Sequence, residues 1–307
     1  MNLVKFRNWF FVFSLLVIIP GVIAFFTWGL KLGIDFSGGT LWEVKFVEAD
    51  VSQTGINSGQ MEKFLNEKGA EVSSVATTSA NSVLVRMRIT DEIKIAEIKA
   101  ELNSTFGETS DLRLESVGAV ISKELTKKAI TAVALAIIAI VLYVTWTFRK
   151  IPKPATSVSF GFCTIFALIH DVIVVVGIFA ILGHFLAIEV DSLFITALLT
   201  VIGFSVHDTI VVFDRIRENL SRHSDFPFET VVNHSLLQTI GRSLNTSLTA
   251  VFVLLALFLF GGQSIKSFVL ALLIGIVSGT YSSIFNAAPL LVVWQNLAGR
   301  KFRLRRG

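Results

Sequence analysis

Residues 192–219 read Ser192-Leu-Phe-Ile-Thr-Ala-Leu-Leu-Thr-Val-Ile-Gly203-Phe-Ser205-Val-His207-Asp208-Thr209-Ile-Val-Val-Phe213-Asp214-Arg215-Ile-Arg217-Glu218-Asn219. The run from Ser192 to Phe213 is apolar enough to cross a bilayer, yet it holds a carboxylate, Asp208. An ionisable group inside a spanning helix is costly, so it is usually paired, turned toward the bundle interior and placed on an ion or proton path. The plainer alternative is a polar packing residue that hydrogen-bonds a neighbouring helix.

The rest of the chain is built to the same solvent. Of 307 residues, 53% are hydrophobic and only 16% charged, where a soluble domain carries about 25% charged residues. The single cysteine, Cys163, lies in an apolar run and excludes an intrachain disulfide. A net charge of +4 raises the question of nucleic acid, but the basic residues gather at the ends of apolar runs, which is a topology signal. Six stretches reach the ~20 residues a crossing needs: Trp9–Leu30, Ala129–Phe148, Thr156–Leu182, Ser192–Phe213, Asn245–Gly261 and Ser267–Trp294. The first is too long for a signal-peptide core and no A-x-A site follows it, so it reads as a retained anchor. On one side the short loops and tails carry Lys5, Arg7, Arg149, Lys150, Lys153, Arg215, Arg217, Arg222, Arg242, Arg300, Lys301, Arg303, Arg305 and Arg306; on the other they hold Lys266 alone. That bias places both termini in the cytoplasm and residues 31–128 outside.

The outer segment opens with Gly33-Ile34-Asp35-Phe36-Ser37-Gly38-Gly39-Thr40, which reads as a tight turn and lacks the Lys-Ser/Thr of a phosphate loop. Leu41–Val47 alternates as a half-buried strand, Ser58–Lys68 is helical with Gly69 past its end, and Glu71–Thr78 and Ser82–Ile89 are strands around a turn at 79–81. Asp91–Phe106 is a second helix and Asp111–Val117 a last strand. The order β-α-β-β-α-β predicts a two-layer ferredoxin-like α+β domain. It has no His or Cys, so it offers no catalytic or metal constellation and reads as a contact surface or moving part.

Within the later spans, Asp171 beside His170 lies eleven residues in from Leu182, ~17 Å deep; the two relay protons, or face different neighbours because adjacent helical residues do not share a face. Arg242, Asn245 or Thr246, and Thr249 form one helical stripe. Counted from the same side of the membrane, Asp208 and Arg242 lie within one turn in depth, which predicts an ion pair in the inner half; a topology charge is the alternative for Arg242. Asp214–Arg242 reads as a cytoplasmic stretch with a local network of Asp214, Arg215, Arg217 and Glu218, worth only ~0.3–0.5 kcal/mol per pair. In the sixth span Ala271, Gly275, Gly279 and Ser283 make a small-residue face that admits another helix, beside a polar stripe of Ser278, Ser282 and Asn286.

Together, Gly33-Ile-Asp35-Phe-Ser-Gly38-Gly39-Thr, Glu115-Ser-Val-Gly118, His170-Asp171, the 203–219 signature ending in Asp214-Arg215-Ile-Arg217-Glu218-Asn219, and Arg242-Ser-Leu-Asn245-Thr246 resemble the SecD/SecF family of the resistance-nodulation-division superfamily, on its SecF side. His207 departs from the Asn that the family has before its helix-four Asp. The resemblance implies a multi-pass protein of a bacterial inner membrane that works with SecD beside the SecYEG translocon and a YajC-like accessory subunit. It implies use of the proton motive force on unfolded exported polypeptides, with Asp208, Arg242, His207, Asp171, Asn245 and Thr246 about the proton path. No cofactor, metal or nucleic acid is expected. The expected architecture is an α-helical polytopic membrane protein: residues 1–30 an N-terminus and first helix, 31–128 an extracytoplasmic ferredoxin-like domain, 129–294 a five-helix bundle and 295–307 a basic tail. A half-size proton-coupled exporter of small molecules or lipids and a scaffold without ion coupling are the alternatives. An enzyme is disfavoured, since no H-E-x-x-H occurs and Gly203-Phe-Ser205-Val lacks a nucleophile's context.

Overall fold

Long apolar helices dominate the computed structural model, which describes residues 2–46, 58–79, 82–88, 91–152, 155–223 and 225–304. In chain order the elements are α1 (Arg7–Trp28), α2 (Ile34–Ser37), β1 (Gly39–Phe46), α3 (Ser58–Glu67), β2 (Val72–Ser79), β3 (Ser82–Met87), α4 (Glu92–Phe106), β4 (Thr109–Val117), α5 (Ala119–Thr147), α6 (Ser157–Leu186), α7 (Ser192–Arg222), α8 (Phe228–Phe260), α9 (Lys266–Tyr281) and α10 (Ala288–Leu304). Six helices among the described residues are long and apolar enough to cross a membrane, α9 and α10 forming the sixth through a π-helical stretch at Ser282–Ala287. The chain divides into two units, Met1–Lys31 with Ile130–Gly307, and Leu32–Ala129.

In the helical unit, α6, α7 and α9 are buried along half their length while α1 and α8 stay largely exposed, so the first three form the centre. The small-residue face expected on the last span sits against α7. A Cβ added at Gly275 would stand 2.1 Å from Val201 Cγ2, and one at Gly279 would stand 2.9 Å from Ser205 Cβ. Only glycine lets the two backbones come this close. The aromatic cluster Phe148, Phe160 and Phe213, all fully buried, fastens the end of α5 to α6 and α7.

Three features differ from the sequence expectation. The fifth helix begins at Phe228, not Asn245, because Val231, Val232, Ser235, Leu236 and Thr239 repeat at helical spacing and bury against α7 although their average polarity hides them. The stretch 214–242 is therefore almost wholly helical, with only 223–227 between α7 and α8. The sixth crossing is not a uniform α-helix. Pro289 has no N–H and its ring crowds the carbonyl of residue 285; the ladder relaxes into the π-helical stretch just before it. Such stretches are frequent at functional sites.

In the smaller unit the sheet order is β2-β3-β1-β4, antiparallel throughout. With β-α-β-β-α-β connectivity this is the ferredoxin-like domain predicted. Trp42, Val44 and Phe46 of β1 and Val83, Val85 and Met87 of β3 point to one face, paired as Trp42↔Val85 and Val44↔Val83, and bury with Met61 and Leu65 of α3 and Ile98 and Leu102 of α4. Of the turn expected at 79–81, residues 80 and 81 lie outside the described ones. Asp91 caps α4 by accepting from Ile93 N at 3.0 Å. At the entrance to β1, Gly38 (φ 74°) and Gly39 (φ 115°) adopt conformations closed to most side chains.

Candidate functional site

Two buried carboxylates lie on successive levels of the α6–α7–α8–α9 core. Asp171 is completely buried. Its carboxylate accepts from Ser205 Oγ of α7 at 2.5 Å, from Ser278 Oγ of α9 at 2.9 Å and from Ser282 Oγ of the π-helical stretch at 2.8 Å. His170 Nδ1 lies 3.0 Å from its Oδ1. The sequence left open whether the two side chains meet or face different neighbours; here the imidazole folds back along the helix onto its neighbour. Asp171 thus joins three crossings through side chains that all donate, and charge-assisted bonds of this kind are about twice as strong as neutral ones.

One turn along α7 from Ser205 stands Asp208, 2% exposed. Ser247 Oγ of α8 and Thr280 Oγ1 of α9 each reach its Oδ2 at 3.3 Å, and these two hydroxyls lie 2.6 Å from one another. Beside it Thr209 Oγ1 meets Ser283 Oγ at 2.8 Å, and Asn286 exchanges hydrogen bonds with Ser14 of α1. The π-helical stretch supplies Ser282, Ser283 and Asn286, so its irregularity aims three polar side chains inward within one turn.

The expected pair of Asp208 with Arg242 does not form. Arg242 lies on the exposed side of α8 and makes no ion pair with Asp208 among the described residues. The depth estimate placed the two at one level but said nothing of the angle around α8. Ser247 follows Arg242 by five residues, a turn of ~140° about the axis at 100° per residue, and Ser243 and Ser247 hold the buried face instead. The stripe of Arg242, Asn245, Thr246 and Thr249 is real, but it faces outward. His207 is exposed as well, because Asp208 takes the inward position. Ser247, Thr280 and Thr209 were missed. Their signal was a hydroxyl on each facing helix at the depth of a buried acid, together with Pro289.

At the far end of α7 the Asp214–Asn219 motif forms the expected local network and reaches α8. Asp214 pairs with Arg217 at 2.6 Å, and Glu218 with Arg215 at 2.5 Å and Arg222 at 2.8 Å. Arg215 Nε donates to Gln238 Oε1 at 2.6 Å; buried Asn219 donates to Ser235 Oγ and Gln238 Oε1, each at 2.9 Å. The motif therefore clamps α8 to α7. Gly33, Asp35, Gly38 and Gly39 lie in the other unit, on the turn through α2 into β1.

Residues 97–297 match the family described as protein export membrane protein SecD/SecF, C-terminal, and residues 23–49 match the SecD/SecF GG motif. The protein translocase subunit SecF of Thermobaculum terrenum is 50% identical over 301 residues, covering 96% of this chain and 94% of that protein. The SecF of Anaerolinea thermophila is 44% identical, with 96% and 94% covered. The crystal structure of SecDF, a translocon-associated membrane protein from Thermus thermophilus, superposes with a TM-score of 0.82 at 32% identity; the match covers 96% of this chain and 39% of that one. With family models matching residues 23–49 and 97–297 and a relative 50% identical over nearly the whole chain, the chain belongs to the SecD/SecF family of protein-export membrane proteins.

Proposed function

We propose that the chain is the SecF-type half of a protein-export complex, paired with a SecD-type chain, and that protonation of Asp208 drives its working cycle. The observation that carries the reading is a buried acid in a spanning helix whose partners are two hydroxyls at 3.3 Å. Carboxylate and acid differ in what they ask of Ser247 and Thr280. The carboxylate only accepts, whereas the acid also donates, so one proton reverses a bond in the Asp208–Ser247–Thr280 triangle. Ser243 Oγ, one turn from Ser247, is buried with no hydrogen-bond partner among the described residues. Turning α8 by one residue step, ~100°, carries Arg242 into that position and toward Asp208. The cycle then alternates between a hydroxyl-held and an arginine-held packing, two discrete arrangements. Moving one charge through 100 mV supplies ~2.3 kcal/mol, a bias of about fiftyfold. Asn245 and Thr246 ride on the same turning face, and Asp171 holds α6, α7 and α9 as the fixed frame.

The SecD-type partner is supported by the outward polar faces. The hydroxyls of Thr196, Thr200, Thr246 and Thr249 are spent on carbonyls of their own helices. His207, Arg242 and Asn245 are exposed in the isolated chain, and such groups in spanning helices usually face protein or water rather than lipid. A second bundle over α7 and α8 would cover them, and the fused SecDF relatives, of which this chain matches under half, are long enough to hold one. By the charge bias both termini are cytoplasmic and residues 31–128 lie outside, where the domain acts on emerging unfolded polypeptide. The SecYEG translocon and a YajC-like subunit are the further partners that the family implies.

The test is complementation. Cells depleted of their own SecF-type chain receive this one with its SecD-type partner, and release of a secreted reporter from the outer face of the membrane is followed. Restored release supports the reading; an assembled complex that leaves the reporter membrane-bound contradicts it.

A further inference from the structure

At the Lys/Arg-rich end of α5 and α7, six side chains line a cavity of about 360 Å³: Lys150, Asp214, Arg217, Glu218, Ser221 and Arg222. The volume is that of a small-molecule site, but the wall is charged. Its charges are unequally matched. Arg217 pairs with Asp214 at 2.6 Å, while Glu218 is shared between Arg222 at 2.8 Å and Arg215 at 2.5 Å. Lys150 makes no ion pair among the described residues. Neighbouring Arg149 lies over the exposed Trp146 ring, 4.5 Å from its centroid, and has no carboxylate partner among the described residues either. On the wall three cations face two carboxylates, so one negative charge is needed to balance it.

The cavity lies at a particular depth. Phe213, fully buried, closes the apolar run of α7, and Asp214 follows it. Ser221 is seven residues further on, ~10 Å along the axis. The polar layer on each side of the hydrocarbon is ~5–8 Å deep, so the cavity begins at the hydrocarbon edge and spans the headgroups. Trp146 is a residue type that collects at that level. Helical side chains lean toward the helix N-terminus, which for α7 is back toward the bilayer. Arg217 accordingly reaches the Phe148 ring, 5.9 Å from its centroid. Lys150 follows Phe148 by two residues, so Lys150 and Arg217 bracket the bilayer end. Glu218, Ser221 and Arg222 stand at the outer end. Ser221 Oγ already donates to the carbonyl of Arg217 at 3.2 Å, so toward the cavity it only accepts, as Glu218 does. A ligand must therefore bring an anion at the bilayer end and hydrogen-bond donors beyond it.

We infer that this cavity holds the headgroup of an anionic phospholipid, its phosphodiester against Lys150 and Arg217 and a hydroxylated head donating to Glu218 and Ser221. Phosphatidylglycerol is the simplest member of the class. At roughly 30 Å³ for a group of water's size, the space admits on the order of ten such groups, the scale of one phosphate and one glycerol. An ethanolamine head would cancel its own phosphate and leave the wall's excess charge unmatched. The site is independent of how Asp208 is used.

The test uses the full chain co-purified with its SecD-type partner in phosphatidylcholine nanodiscs. The probe is phosphatidylglycerol with a diazirine high on one acyl chain. The competitors are unlabelled phosphatidylglycerol, phosphatidylethanolamine, phosphatidylmethanol and the chain-free headgroup glycerophosphoglycerol. Labelling should saturate on the segments around Trp146 and Phe213. Phosphatidylglycerol should compete about fivefold better than phosphatidylethanolamine, the effect of one cation on an anionic lipid. It should also compete about fivefold better than phosphatidylmethanol, the effect of one hydrogen bond. Lys150→Gln should remove the first preference and Lys150→Arg should keep it, while Lys5→Gln, which removes an equal charge at the start of α1, should leave both unchanged. Equal competition by the ethanolamine lipid, or an equal loss in Lys5→Gln, would overturn the inference and leave only general surface attraction. Equal competition by phosphatidylmethanol would overturn it by showing that the hydroxyls are not read. Competition by glycerophosphoglycerol as strong as by the lipid would overturn it by assigning the cavity to a soluble phosphate.

Discussion

Replacing Gly279 with alanine tests the packing that brings the acids to their partners. The added Cβ would lie 2.9 Å from Ser205 Cβ and 3.3 Å from its Cα and Oγ. Carbon atoms settle at ~3.5–4.0 Å, so α7 and α9 must part by roughly 0.6 Å or more. Backbone stands on one side of the clash and a short side chain on the other, which leaves no flexible group to yield. The Thr280–Asp208 bond, already 3.3 Å, would stretch toward 4 Å and be lost, since hydrogen bonds weaken steeply past ~3.2 Å. Overpacking costs about 1–3 kcal/mol and a lost bond about 1 kcal/mol more, so Gly279→Ala should destabilise the purified complex by roughly 2–4 kcal/mol. The assay is reversible denaturation in mixed micelles, with Gly262→Ala as control; a Cβ there meets nothing within 4 Å and should change stability by under ~0.5 kcal/mol. Ser205→Gly removes the clashing Cβ. A double-mutant cycle should therefore show favourable coupling of about 1–2 kcal/mol, although Ser205→Gly alone destabilises by losing the Asp171 bond. Wild-type stability in Gly279→Ala, or a cycle without coupling, would refute the close approach of these helices.

Other predictions concern the remaining parts of the chain. Burial raises the Asp111 carboxyl, but the Lys99 ammonium and the Trp42 indole N–H, 2.9 Å away, outweigh it and hold it below its ordinary value. A depressed folded value gives stability that is present above the unfolded pKa of ~3.9 and lost as pH falls through the folded one. The smaller unit should thus lose stability below about pH 4, less steeply in Asp111→Asn, as read by Trp42 fluorescence in a chain whose other tryptophans are phenylalanine. Gly39→Ala places a Cβ 2.6 Å from the Met87 carbonyl at φ 115° and should cost about 2–4 kcal/mol, seen as faster proteolysis of that unit. Gly107→Ala, at φ 95° in open space, should cost only about 1 kcal/mol. Asn219→Leu should weaken the α7–α8 clamp by roughly 2–3 kcal/mol because Ser235 and Gln238 lose a buried donor; protease cleavage within 223–227 reports it. Arg222→Ala, removing an exposed ion pair, should change cleavage little.

The sequence carried axial information well and angular information poorly. Apolar run length and loop charge located six crossings, and period-two alternation with Asp91 and Gly107 at the helix ends located the smaller domain. Depth along a helix followed from counting residues, which put Asp208 and Arg242 at one level. Rotation about α8 did not follow, because Ser243, Ser247 and Arg242 lie within five residues and the rule that buried charges pair favoured the arginine. The start of α8 was hidden because the buried stripe of Phe228–Leu244 mixes Ser235, Thr239 and Ser243 with Val231, Val232 and Leu236, which lowers its average hydropathy. The inward aim of Ser282, Ser283 and Asn286 depends on the π-helical stretch before Pro289. The proline was legible; how the ladder relaxed around it was decided by packing against α6 and α7.

The central claim is that a proton on Asp208 changes how α8 and α9 hold α7, and that this change does the work. The most direct measurement is export by inner-membrane vesicles containing the chain and its SecD-type partner, with and without an imposed proton gradient. Asp208→Asn should leave the complex assembled and the gradient-independent rate intact while abolishing the gradient-stimulated increment. An increment of wild-type size in Asp208→Asn would contradict the account.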